Sequence, residues 1–128
     1  MTMAVGYASQ DVNVEIRLSA DGNALAIVDL AGRRRPCEAR LTADRRFELA
    51  VALARMADAA QRSEYSEAPA RVPVDGGGRV DVAAFPAAVA IYLFRPGAWV
   101  SRSVRLAPGD ARRLAFDIGQ HQTSGGIS

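Results

Sequence analysis

From residue 11 to residue 19 apolar and polar side chains alternate. Val12, Val14, Ile16 and Leu18 fall on one face of an extended chain, and Asn13, Glu15, Arg17 and Ser19 on the other. A period of two predicts a half-buried strand. Ala20-Asp-Gly-Asn23 supplies residues that tolerate positive φ, hence a hairpin turn, and residues 24–30 return as a second strand. A third strand is expected over 35–41, with Pro36 restricting it to an edge or a strand start, and a short strand over 3–8 precedes all three. At Thr42 the period changes. Thr42 has the chemistry of an N-cap and Asp44 favours a first turn, while Leu49, Leu53, Met56, Ala57 and Ala60 recur at helical spacing, predicting a helix over 42–62.

The polar stretch 63–70 is a linker, and the same order then returns. Strands are expected at 71–75 and 79–84 around the Gly76-Gly-Gly78 turn. A hairpin follows, 87–94 with 99–106, around Arg95-Pro-Gly-Ala98. A helix over 108–121 opens on Pro108 and carries Ala111, Leu114, Ala115 and Ile118 on one face. The two strand-to-helix junctions align: Arg40-Leu41 leads to Asp44-Arg45-Arg46, and Arg105-Leu106 leads to Asp110-Ala-Arg112-Arg113, with one residue extra. The sequence therefore predicts an α+β fold with four strands and a helix, twice, in largely antiparallel sheets. Residues 1–122 form one domain of two similar halves, 3–62 and 71–121, and 123–128 a flexible tail.

The size of 128 residues, 49% hydrophobic and 23% charged, suits a soluble domain that buries a core without disulfides or metal. No basic segment followed by a long apolar stretch opens the chain, and the longest apolar run, 83–94, is broken by Pro86. A cytoplasmic protein without a membrane partner is expected. Cys37 is the single cysteine and His121 the single histidine, which precludes a Cys/His zinc site within one chain; Gly76-Gly-Gly78 lacks the Lys-Ser/Thr of a phosphate loop. No catalytic residue, metal or cofactor is expected, and the reading is non-enzymatic.

Charge adds one feature. All sixteen basic residues are arginine, which a GC-rich genome accounts for and which also suits phosphate recognition. Residues 33–46 hold six of them against two acids. Side-chain alternation in the second hairpin, with Phe94 opposite Trp99 and Ala90 opposite Ser103, sets Val89, Ile91, Leu93, Val100, Val104 and Leu106 on the core face, with Arg102 as the exception. The other face receives Tyr92, Phe94, Trp99, Ser101, Ser103 and Arg105, flanked by Arg95. Such a face is either buried against a sheet or a subunit, or it stacks bases while arginines neutralise phosphates.

Four strands then a helix, twice, resembles the Pur-domain and Whirly families of single-stranded nucleic-acid-binding proteins. The local likeness to a Pur repeat lies in residues 12–57, where strand, polar turn Asp21-Gly-Asn23 and strand lead to Arg40-Leu41 and the helix. Residues 20–24 lack the basic and aromatic residues of a Pur hairpin, so the expected site is the second hairpin: Tyr92, Phe94, Arg95, Trp99 and Arg105, with Arg33, Arg34 and Arg35. The expected partners are single-stranded DNA or RNA. Phe47, Val51 and Ala54 widen the first helix's apolar arc beyond one core stripe, which predicts a homodimer. An assembly or adaptor protein using the same aromatic face and helices is the alternative.

Overall fold

The structure, a computed structural model, describes the backbone of residues 5–97 and 102–127, with side chains through residue 120. Strands β1 (Val5–Ala8), β2 (Val14–Leu18), β3 (Ala24–Asp29) and β4 (Cys37–Arg40) form an antiparallel sheet in chain order and lead into helix α1 (Ala43–Gln61). Strands β5 (Ala70–Pro73), β6 (Arg79–Phe85), β7 (Ala88–Phe94) and β8 (Arg102–Leu106) form a second, again in chain order, and lead into α2 (Pro108–Ile127). The chain is thus an α+β protein with a duplicated order of elements. The junctions match as expected: Leu41 and Leu106 are both buried, while Arg40 and Arg105 are exposed.

Local chemistry explains the boundaries. Thr42 has extended backbone and its hydroxyl accepts from the Arg45 N–H at 3.4 Å, capping α1. Pro36 immediately precedes β4, an edge strand, where its missing N–H interrupts no ladder. Val12 departs from expectation. It is 86% exposed and precedes β2, because Ser9 Oγ donates to the Val14 carbonyl at 2.6 Å and accepts from the Asp11 N–H. Asn13, with φ 58°, then turns the chain before the strand begins. The second helix continues past Gly119 to Ile127, beyond the expected stop near residue 121. Gly119 is not among the glycines with positive φ, so it does not form the left-handed cap that ends helices.

The two halves share one core. α1, which ends the first half, lies on β5, β6 and β7 of the second sheet, while α2 contacts β1, β7, β8 and, most extensively, α1. Leu49, Leu53, Met56 and Ala57 of α1 join Val80, Val82, Ile91 and Leu93 in a single buried cluster that also holds Ile16, Leu25 and Ile27. The helices run antiparallel, with Arg112 paired to Asp58 at 2.5 Å.

Tyr7 of β1 closes the circuit. It is fully buried, its hydroxyl donates to Asp117 of α2, and Arg113 lies over its ring at 5.0 Å. Burial first, and then the Asp117 carboxylate, push the phenol pKa far above its ordinary value. The fold therefore holds the neutral phenol, and that contribution is complete below the ordinary phenol pKa of 10.0 and drains away as pH rises above it. Tyr7→Phe is expected to lose about 1 kcal/mol at neutral pH, read by urea unfolding, and to show a shallower fall in stability between pH 9 and 11.

Candidate nucleic-acid interface

The second sheet has two unlike faces. Val80, Val82, Val89, Ile91, Leu93, Val104 and Leu106 point inward and are buried. The register places Arg71, Asp81, Tyr92 and Ser103 in one row across the other face, Arg79 and Phe94 in the next, and Ala83, Ala90 and Arg105 in a third. Tyr92 and Phe94 therefore lie on the outer face as alternation predicts.

The pairing itself is offset by two residues from the expected one. Ala90 is opposite Arg105 and Leu93 opposite Arg102, rather than Ala90 opposite Ser103. The described part of β8 begins at Arg102, opposite Leu93. A two-residue shift leaves every side chain on its own face. Trp99, Val100 and Ser101 lie outside the described residues.

The outer face is only partly open. Arg79 stacks over the Phe94 ring at 4.1 Å, Arg105 lies 5.9 Å from the Phe85 ring centre, and Tyr65 meets Phe85 edge-on at 5.7 Å. The linker folds back here, with Ser66 Oγ accepting from the Ala84 N–H and the Ser66 N–H donating to the Ala84 carbonyl. Tyr92 and Phe94 are consequently half-buried, and Tyr65 is 70% exposed. Along the β8 edge the backbone N–H of Arg105 donates to Asp11 at 2.9 Å and its carbonyl accepts from Gln10, so the β1–β2 loop covers that edge. Gly78 turns the chain close beneath β7: a Cβ there would lie 2.4 Å from the Phe94 carbonyl oxygen. Gly78→Ala is expected to displace the end of β7, visible as lost amide protection at Phe94.

The arginines converge from both halves. Arg102, inward by parity, instead reaches the rim and donates to the Arg35 carbonyl; Arg95 donates to the Pro36 carbonyl at 3.4 Å. The β3–β4 loop carrying Arg33, Arg34 and Arg35 thus sits beside the β7–β8 hairpin. Asp29 is committed to shaping that loop, accepting from the Ala31 and Arg33 backbone N–H groups at 3.0 and 3.1 Å. Among the described residues, none of Arg33, Arg34, Arg35, Arg95, Arg102 or Arg105 forms an ion pair, whereas seven other arginines do.

Sequence reasoning found Tyr92, Phe94, Arg95 and Arg105 on or beside the hairpin and Arg33, Arg34 and Arg35 on the neighbouring loop. It missed Arg102 as a member of the cluster, and Tyr65, Arg71, Arg79, Asp81 and Phe85 on the outer face. Alternation in β6 carried the signal for Arg79, Asp81 and Phe85; nothing local announced that Tyr65 folds back. Cys37 is buried, and no grouping of three metal-ligating side chains occurs among the described residues. Nor is any helix among them long and apolar enough to cross a membrane. Comparison with family models, with curated proteins and with solved structures finds no match.

Proposed function

We propose that this protein binds single-stranded DNA or RNA without catalysis, through the arginine cluster of the β3–β4 loop and the β7–β8 hairpin, with the adjoining aromatic face contacting bases. The observation that carries the reading is the convergence of five arginines from the two halves, Arg33, Arg34, Arg35, Arg95 and Arg102, none of which forms an ion pair among the described residues. Such a cluster is an electrostatic seat for successive phosphates, and ring faces beside it add stacking that tolerates any base. The order of elements, which resembles the Pur and Whirly arrangement, agrees with this reading. Fluorescence anisotropy of a labelled single-stranded octamer, titrated from 50 to 200 mM salt, tests it: affinity falls steeply with salt if the cluster binds phosphates. Absence of binding at the lowest salt removes the reading.

A second surface favours self-association. Phe47, Val51 and Phe116 are 59%, 41% and 63% exposed around an apolar groove of about 710 Å³ between α1 and α2, floored by Ala50, Ala54 and Ala115. The occupant we infer is a second copy. A two-fold contact would lay the exposed Phe47, Val51 and Phe116 of one copy on the same apolar groove of the other. Phe116→Glu is expected to convert a dimer into a monomer with an unchanged circular dichroism spectrum, read by sedimentation equilibrium. A wild-type chain that sediments as a monomer at micromolar concentration contradicts this.

A further inference from the structure

The outer face of the second sheet also holds a cleft of about 350 Å³. One wall is the returning linker, Tyr65 to Pro69; the other is formed by Phe85, Tyr92 and Phe94, and Asp81 contributes to the lining. Asp81 is the one buried charged side chain among the described residues, 5% exposed. Its Oδ1 accepts from Arg79 Nε at 3.0 Å. Its Oδ2 is ion-paired with Arg71 Nε at 3.9 Å, a separation that leaves room for a further donor. Asp81 thus contributes its carboxylate to a ring-walled slot that reaches Phe94, the residue before Arg95.

The slot's chemistry narrows its occupant. The position a cation takes over an aromatic ring is already filled from within, because Arg79 lies 4.1 Å from the Phe94 centroid and is held there by Asp81. What is left is space bordered by aromatic rings and one acceptor oxygen, which suits a planar heterocycle offering N–H donors at its edge. Guanine presents a ring N–H and an exocyclic amine side by side. Thymine and uracil present one N–H between two carbonyl oxygens, and a carboxylate repels those oxygens.

We propose that this cleft takes one base of the bound strand and reads its amino-bearing edge through Asp81, favouring guanine over thymine or uracil. The inference rests on the nucleic-acid reading above and adds a base preference to it. Arg71 and Arg79 hold the carboxylate in place, and Tyr65 forms the outer wall.

The test is anisotropy with a labelled octamer of alternating thymidine and deoxyguanosine and with oligothymidine of the same length, for wild type and Asp81→Asn. Wild type is expected to favour the guanine-containing strand by about tenfold. Asp81→Asn, folded by circular dichroism, is expected to bind both strands with the oligothymidine affinity of wild type. Competition on wild type, guanosine monophosphate against uridine monophosphate, carries the test even if the variant does not fold: only the guanine nucleotide displaces the strand. Equal, salt-sensitive binding of both strands, or equal competition, overturns the base preference and leaves the nucleic-acid reading standing. Binding of neither strand overturns both.

Discussion

Replacing Arg33, Arg34 and Arg35 together by alanine is expected to weaken binding of a single-stranded octamer by about two decades at 0.1 M salt. The three side chains are exposed and form no ion pair among the described residues, so their loss removes phosphate contacts without breaking internal ones. Each phosphate contact on a single strand contributes roughly 0.7 to the slope of log affinity against log salt, so the slope is expected to shrink by about 2. The loop should keep its shape. It is set by Asp29 accepting backbone N–H groups and by Arg95 and Arg102 donating to the carbonyls of Pro36 and Arg35, all of which the alanine variant retains. Anisotropy across a salt series reads both quantities. An unchanged slope would place the phosphates elsewhere.

Leu53→Ala is expected to destabilise the whole chain by about 2–5 kcal/mol. Leu53 is fully buried on α1 within the cluster that joins the two sheets, so the cavity it leaves is felt on both sides. Because α1 belongs by sequence to the first half but packs on the second sheet, neither half keeps its core without the other. Thermal unfolding followed by circular dichroism should move down in one step, with the midpoint lowered by on the order of 10 °C. Hydrogen exchange should show amides of β3 and β7 losing protection together. Loss confined to one sheet would contradict a shared core.

The order of elements was legible because period-two alternation and helical spacing change cleanly at Thr42 and again at Pro108. The faces of the hairpin were equally legible. Alternation in β7 assigns Tyr92 and Phe94 to the outer side whatever the register, so an offset of two residues left the assignment intact. The register itself is not fixed by alternation, which assigns faces but not which residue stands opposite which. Arg102 illustrates the other limit. Its parity marked it as an anomaly in an apolar row, but its reason, a carbonyl at Arg35 in the other half, is a tertiary contact. Val12 continued the alternation of β2 on paper and was lost from the strand to the hydrogen bonds of Ser9 and the left-handed Asn13. The crossing of α1 onto the second sheet had no local signal, since an apolar helix face does not say which sheet it covers.

On the proposed reading, one surface, built from the β3–β4 loop and the β7–β8 hairpin, receives a single strand. A heteronuclear NMR titration of the protein with an unlabelled single-stranded octamer at low salt maps that surface residue by residue. Shifts are expected at the Nε–H groups of Arg33, Arg34, Arg35, Arg95 and Arg102 and at the ring protons of Tyr92 and Phe94, with Phe47, Val51 and Phe116 unmoved. Shifts confined to the α1–α2 groove, or none at any strand concentration, would contradict it.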